Sequence, residues 1–236
     1  MIRVTENLTS VRLELENAAE LASRNPDEIT LIAVSKRHSV DAIREAVGAN
    51  QRHFGENFVA EGVGKIEALA DPSLVWHFIG AIQSNKTRAI ATHFDWVHTV
   101  DRIKIARRLS EQRPEELPPL QVCLQVNIDN EPQKAGVNID AALSLAQQVH
   151  ELPRLQLRGL MCLPRPRVTL DEQRQPFARM HALAATIRQY VADVDQLSMG
   201  MSADTRAAIL EGSTMVRVGT AIFGARPETQ HQNLKE

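Results

Sequence analysis

Residues 30–55 read TLIAVSKRHSVDAIREAVGANQRHFG, and this stretch decides the fold. It opens with an apolar run, Thr30–Ser35, and closes with a second short apolar run, Arg52–Gly55. Between them lies an amphipathic segment, Val40–Val47, which follows Ser39, a residue type that commonly caps a helix. A strand, a helix and a strand in this order form a βαβ unit, in which the two strands run parallel.

The same alternation continues along the chain. Further predicted strands are Trp76–Gly80, Trp96–Thr99, Leu120–Asn127, Leu155–Met161, Gln196–Met199 and Met215–Gly219. Further predicted helices are Asn57–Leu69, Ser84–Ala91, Arg102–Gln112, Ile139–Glu151, Asp171–Val191 and Ala203–Glu211. About eight strands close a (β/α)8 barrel, so we predict an α/β protein with a TIM-like barrel. An open doubly wound sheet is the competing topology, because alternation alone does not distinguish closure from an open edge.

The domain organisation follows from what lies between these elements. An additional amphipathic helix is predicted before the first strand, at about residues 5–22, because its apolar residues recur at helical spacing. The proline-rich stretches Arg113–Pro119 and Pro164–Arg167 are brief and stand at the ends of elements. We therefore expect a single domain over residues 1–236, with the additional helix plugging or flanking the barrel.

Composition limits the possible partners. With 27 Lys and Arg against 29 Asp and Glu, the net charge of −2 creates no strong field for nucleic acid or an anionic membrane. No apolar run approaches the roughly 18 residues of a spanning helix, and the amino terminus does not read as a signal peptide. We expect a cytoplasmic protein.

Cys123 and Cys162 lie in apolar runs and should be buried, and the histidines show no spacing typical of a metal site.

Lys36 directly follows the first predicted strand. In a (β/α)8 barrel the functional residues come from the carboxyl ends of the strands. A lysine there is either a surface cation with a buried stem or an amine that forms an imine. An imine-forming lysine must spend time neutral although the ordinary pKa of lysine is about 10.4, and a neighbouring cation such as Arg37 could favour the neutral form.

The loops after the seventh and eighth predicted strands have the composition of a phosphate site. The first contains Met199, Gly200 and Ser202, in which glycine permits close approach of the backbone and the hydroxyl, with the first helix amides, can bind an anion. The second contains Gly219 and Thr220. Barrels often bind phosphate between these two loops, although Ser202 could instead be an ordinary helix cap.

Three further polar residues stand at or near strand ends. Arg217 shares a face with Gly219, so we expect it to point into the barrel mouth, the alternative being an outward position between helices. Next to a pyridine nitrogen this permanent cation would oppose protonation. Asn57 is either a helix cap or a ligand, and His77 is either a core histidine or a ligand.

Segments spread over nearly the whole chain match one known family. They are residues 31–36, 54–57, 76–80, 83–86, 197–202 and 212–220. With them the chain resembles the YggS/PLPBP pyridoxal phosphate homeostasis proteins. The resemblance implies a barrel like the amino-terminal domain of alanine racemase, of fold-type III, which holds pyridoxal 5′-phosphate (PLP) as a Schiff base on Lys36.

The resemblance also assigns roles around the cofactor. It implies that the phosphate lies near Ser202, Gly219 and Thr220, that Arg217 lies beside the pyridine nitrogen, and that Asn57 lies near the ring. The full set that we expect to bind PLP is Lys36, Asn57, His77, Met199, Gly200, Ser202, Arg217, Gly219 and Thr220. Such proteins carry or buffer PLP and maintain vitamin B6 and amino-acid homeostasis without robust turnover. We therefore expect no catalytic residues, PLP-dependent apoenzymes as candidate recipients, and a monomer.

Two departures and two other functions stay open. Arg37-His38-Ser39 stands where many relatives have a further lysine or a proline, and Phe58 replaces a common tyrosine, which puts an accessory lysine site near Lys36 in doubt. An amino-acid racemase of the same fold would need a second acid/base on the opposite ring face. The single tyrosine, Tyr190, falls late in a predicted helix, where we expect it to pack. A barrel enzyme that forms an imine between Lys36 and its substrate, without a cofactor, is the third reading.

Overall fold

Eight short strands alternate with helices over residues 3–225, the part of the chain that the structure, a computed structural model, describes. The strands are β1 Thr30–Val34, β2 His53–Glu56, β3 Val75–Phe78, β4 Trp96–Val100, β5 Leu120–Val126, β6 Leu155–Cys162, β7 Gln196–Met201 and β8 Met215–Val218. The helices are α1 Val4–Leu21, α2 Val40–Gly48, α3 Val59–Leu69, α4 Thr87–His93, α5 Ile103–Gln112, α6 Ile139–His150, α7 Leu170–Arg188, α8 Thr205–Leu210 and α9 Thr220–Phe223.

The strands form a closed parallel barrel in chain order. Closure occurs between β1 and β8, where Ile32 pairs with Arg217 and Ala33 with Val218. The predicted (β/α)8 barrel is therefore confirmed, and the open doubly wound sheet is excluded. Because all strands run parallel, their carboxyl ends meet at one mouth, and β1, β7 and β8 are consecutive there.

Apolar side chains fill two layers. The larger cluster lies between the barrel and its helices and includes the fully buried Phe54, Phe78 and Phe177. A smaller cluster combines residues of four strands, namely Ile32, Cys123, Met161 and Met215. Both cysteines are buried, as predicted, and burial raises the pKa of each thiol to about 12.

Helix α1 flanks the barrel. It packs against α8, α9 and α2 through a stripe that includes Val4, Leu8 and Val11. The side-chain amide of Asn7 donates to the carbonyl of Ile222 over 2.8 Å. The single domain expected over residues 1–236 includes residues 1–2 and 226–236, which lie outside the described residues, so it stays a prediction.

The helices and the polar clusters of residues 3–225 bear on the predicted partners. No helix in this range combines the length and the apolar character that crossing a membrane requires. Within the same range, no group of three or more histidine, cysteine or acidic side chains is arranged to hold a metal ion.

An acidic residue joins the loops that follow β5 and β6. The Asp129 carboxylate accepts from Arg167 Nη2 over 2.6 Å, from Arg179 Nη2 over 2.9 Å and from the Arg165 amide over 2.8 Å. Burial alone would raise its pKa, but these hydrogen bonds and the two arginine charges lower the pKa to about 2. The loops above the barrel mouth are thus connected by a charge-assisted cluster.

Replacing Asp129→Asn should lower stability in a pH-dependent way. The folded pKa of Asp129 lies below its unfolded value near 3.8, so its contribution is present above that value and is lost as pH falls towards 2. We expect a loss of about 2 kcal/mol in the free energy of unfolding near pH 7, which shrinks steadily below pH 4. Urea unfolding of both proteins between pH 7 and pH 2 measures this difference in the free energy of unfolding. A difference that does not change with pH would contradict the lowered pKa of Asp129.

Candidate functional site

A cavity of about 230 Å³ opens at the carboxyl end of the barrel between β1, β7 and β8. It is lined by six of the nine residues expected at the site: Lys36, Asn57, Ser202, Arg217, Gly219 and Thr220. Val34, Ile79, Met161 and Leu163 supply an apolar wall. Among the described lining residues two are cationic and none is acidic, so the cavity suits a small ligand with an anionic group and an apolar body.

Lys36 follows β1, and the residue before it, Ser35, is fixed by buried hydrogen bonds. Ser35 is fully buried, and its hydroxyl donates to Glu56 Oε1 over 2.6 Å. The buried Lys65 ammonium donates to the Ser35 carbonyl, to Glu56 and to Glu61, each within 2.7 Å. The sequence reasoning missed this cluster, although Glu61 and Lys65 stand at the i,i+4 spacing of a helix ion pair.

Arg37, which could favour the neutral form of Lys36, is not among the described residues that line the cavity. It is exposed, and its guanidinium lies over the ring of Phe58, 5.7 Å from the centroid. Its backbone φ of +64° is held by a hydrogen bond of 2.5 Å from its amide to Glu61. The cation that shares the cavity with Lys36 is Arg217.

Arg217 points into the barrel. It is 4% exposed, Nη1 donates to Ser198 Oγ over 2.5 Å, and Nη2 donates to the Cys162 carbonyl over 3.0 Å. Burial lowers its pKa, but both hydrogen-bond partners are neutral. The guanidinium therefore lies at the cavity wall with its charge retained and not cancelled by either of these two partners.

The predicted phosphate loops differ in detail from the expectation. Strand β7 extends to Met201, and α8 begins only at Thr205, so Ser202 is not a helix cap. The start of α8 is displaced because the Asp204 carboxylate accepts from the Met201 amide over 2.6 Å. Helices α8 and α9 have only six and four residues, and the hydroxyl-bearing residues Ser202 and Thr220 line the cavity.

Asn57 lies at the edge of the cavity and does not cap α3, whose N-cap position is Phe58. Its Oδ1 is buried without a hydrogen-bond partner among the described residues. Buried polar atoms normally find a partner, and an unpaired one at a cavity wall is available to a ligand donor. Gly80 packs against the Asn57 main chain, since a Cβ on Gly80 would stand 2.0 Å from the Asn57 carbonyl oxygen.

Replacing Gly80→Ala should destabilise the protein by about 1–3 kcal/mol, because the added Cβ must displace the main chain of Asn57. Gly64→Ala is the matched control, since a Cβ there meets nothing within 4 Å on an exposed face of α3. That control should instead stabilise by about 0.5–1 kcal/mol. Urea unfolding measures both, and equal effects of the two substitutions would contradict the close approach.

Three expected residues are not among the described residues that line the cavity. Met199 belongs to the apolar layer between barrel and helices, and Gly200 has a φ of +97° and lies against Ala208. His77 is 1% exposed and its ring is bonded on both sides by other histidines. This is the position of a core histidine, because His53 and His98 on the neighbouring strands hydrogen-bond to its two ring nitrogens.

Tyr190 does not pack as expected. Helix α7 ends at Arg188, before Tyr190, whose side chain is 60% exposed. Tyr190 lies between the carboxyl end of α7 and the start of β7, near the amino ends of the strands. The cavity lies at the opposite, carboxyl ends of the strands. Tyr190 is therefore not placed to act on a ligand in this cavity.

The chain matches known proteins over nearly its whole length. The sequence model of the family described as alanine racemase, N-terminal domain, matches residues 11–227. A pyridoxal phosphate homeostasis protein of Pseudomonas aeruginosa is 52% identical over 226 residues, covering 96% of this chain and 97% of that protein. One of Escherichia coli is 51% identical over 226 residues, covering 94% and 97% respectively.

Solved structures give the same result. PipY of Synechococcus elongatus, with PLP bound, is 40% identical, has a TM-score of 0.82, and is matched over 94% of this chain and 100% of its own. An alanine racemase of Clostridium difficile is 13% identical with a TM-score of 0.74, over 95% of this chain and 57% of its own. The racemase shares the barrel, and at this identity the likeness concerns the fold alone.

Proposed function

Since the chain belongs to the family of pyridoxal phosphate homeostasis proteins, we propose that it binds PLP on Lys36 and carries or buffers this cofactor. The observation that carries the proposal is the convergence of Lys36, Arg217, Ser202 and Thr220 on one cavity. PLP has an aldehyde, a pyridine nitrogen and a phosphate, and the cavity offers a group for each. The 40% identical PipY, whose structure contains PLP, supports the same cofactor.

The residues of the cavity fit PLP. The hydroxyls of Ser202 and Thr220 would hold the phosphate beside Gly219, which has no side chain and lies against Val34. The unpaired Asn57 Oδ1 would accept from a donor on the cofactor. Ile79, Met161 and Leu163 would contact the ring. When bound, PLP supplies an aldehyde that reacts reversibly with amines.

Attachment to Lys36 balances as a condensation. Lys36 would hold PLP through its Nζ in the neutral form, where a bond to the aldehyde carbon would form, the aldehyde oxygen would leave as water with the two protons of the amine, and a carbon–nitrogen double bond would remain. Addition of water reverses the step and releases PLP unchanged. A reversible covalent bond of this kind is what a buffer or carrier requires.

The surroundings of the site favour binding of PLP without catalytic turnover. Arg217 beside the pyridine nitrogen would oppose its protonation, which weakens the ring as an acceptor of electrons. Racemisation also needs an acid/base group on the face opposite Lys36, and Tyr190 is not placed to supply one. The homologues are named as homeostasis proteins and not as enzymes. We therefore propose weak or no turnover.

The remaining expectations complete the proposal. We place the protein in the cytoplasm, as a monomer, with PLP-dependent apoenzymes as recipients of the cofactor. Transfer would be visible as activity that appears in an apoenzyme when the loaded protein is added while a scavenger removes free PLP. Equal activation by free PLP and by loaded protein in the presence of the scavenger would contradict direct delivery.

Absorbance and chirality test the function. After incubation with PLP and removal of the unbound excess, the protein should be yellow, and protein that stays colourless would contradict PLP binding. The loaded protein is then incubated with single L- and D-amino acids, and optical activity is followed. Turnover near an ordinary kcat of about 1 s⁻¹ or more would contradict the carrier and favour the racemase.

A further inference from the structure

Five polar side chains form one hydrogen-bonded line through the inside of the barrel. His53 Nδ1 lies 2.9 Å from His77 Nε2, and His77 Nδ1 lies 2.9 Å from His98 Nε2. His98 Nδ1 lies 2.7 Å from Ser198 Oγ, which accepts from Arg217 over 2.5 Å. We call this set the histidine line. It joins the cavity at the carboxyl end, where Arg217 lies, to a cavity of about 440 Å³ at the amino end, which His53 lines.

Most of the line is buried, and its histidines are uncharged near neutral pH. His98 and Ser198 are fully buried and His77 is 1% exposed. Burial lowers the pKa of His77 far below its ordinary value, and burial together with the Arg217 charge lowers the pKa of His98 to about 3. Near neutral pH each imidazole therefore carries one N–H donor and one acceptor nitrogen.

Neutral imidazoles give the line a direction. Each histidine that donates through one nitrogen must accept through the other, so all the bonds between histidines point the same way. When the Ser198 hydroxyl donates to His98, each ring carries its proton on Nε2 and donates to the next towards His53. Hydrogen bonds in such a chain polarise one another, so the Ser198 oxygen becomes a stronger acceptor for Arg217.

We propose that Ser198 and His98 are positioning residues that hold the Arg217 guanidinium at the cofactor cavity, with His77 and His53 fixing the direction of their hydrogen bonds. This rests on the proposed function, because Arg217 acts on the cofactor ring. Arginine has a long side chain, and here it extends into the barrel on two neutral acceptors, Ser198 and the Cys162 carbonyl. A carboxylate would hold it equally well but would cancel the charge that faces the ring.

The decisive variant is Ser198→Ala, with Ser213→Ala as its matched control. Ser213 is also fully buried, and its hydroxyl bonds the main chain of β7 and β8 without contacting Arg217. Both proteins are loaded with PLP, and affinity and the circular dichroism of the bound chromophore are measured. We expect Ser198→Ala to weaken affinity about tenfold and to reduce the dichroism per bound cofactor, because the ring is held less firmly. Ser213→Ala should change only the thermal midpoint.

A second pair keeps the test usable if Ser198→Ala folds poorly. His98→Leu removes the partner of Ser198, whereas His98→Asn keeps an amide group near the position of the lost Nδ1. We expect His98→Leu to behave like Ser198→Ala and His98→Asn to recover part of the affinity and the dichroism. Equal changes in the Ser198→Ala and Ser213→Ala proteins, or none in either, overturn the positioning role. If the unsubstituted protein binds no PLP, the proposed function itself fails.

Discussion

The Lys36→Arg protein should bind PLP about 100-fold less tightly and should form no adduct that borohydride can fix. Arginine keeps the positive charge and a similar length, so the electrostatic attraction for the phosphate is retained. Its guanidinium does not become neutral in proteins and so cannot condense with an aldehyde. Equilibrium dialysis measures the affinity, and intact mass after borohydride treatment measures the adduct.

The control for this prediction is Lys104→Arg, because Lys104 lies on an exposed face of α5, away from the cavity. It should bind PLP and form the reduced adduct as the unsubstituted protein does. A Lys36→Arg protein that still gains the mass of one reduced cofactor would show that another lysine carries it. The cavity assignment would then be wrong although PLP binding persists.

The Arg217→Met protein should lose about 10- to 100-fold in PLP affinity, the value of one hydrogen bond to a charged donor. Its apo form should keep its stability within about 2 kcal/mol, because the loss of donors to Ser198 and Cys162 is offset by removal of a buried cation. Methionine is close to the length of arginine and fills an irregular space well. The residue is thus expected to serve the ligand more than the fold.

Arg113→Met is the matched control for Arg217. Arg113 is also 4% exposed, and it donates to the carbonyls of Ala91, Phe94 and Pro118. It lies outside the described lining of the cavity, so its loss should lower the free energy of unfolding while PLP affinity is unchanged. Urea unfolding and dialysis on both proteins separate the two effects. A large loss of affinity in both proteins would indicate general loosening and not a role for Arg217.

The sequence is sufficient for the order of strands and helices because their signals are local, whereas closure of the barrel is shown by the pairing of β1 with β8. Each strand is a short apolar run between helical patterns, and the observed strand bounds lie within about two residues of the predicted ones. The helix starts were less accurate. Helix α8 begins at Thr205 and not at Ala203, since Asp204 binds the Met201 amide, and α3 begins after Asn57, whose main chain is packed against Gly80.

The candidate site was predictable in part. Lys36 and Arg217 could be placed from strand ends and strand alternation, and they line the same cavity. The histidine line could not be found this way, because it joins residues of five strands whose relative heights depend on barrel stagger. The positions of Met199 and His77 relative to the cavity depend on the same stagger, so His77 was left open between core residue and ligand, and Met199 was expected at the cavity although it packs between barrel and helices.

Peptide mapping of the unsubstituted protein after borohydride reduction tests the central claim most directly. The protein is loaded with PLP, reduced and digested, and the mass of each lysine-containing peptide is measured. We predict one reduced phosphopyridoxyl group per chain, on Lys36, with other lysines such as Lys65 and Lys86 unmodified. A modification found mainly on another lysine, or on none, would contradict it.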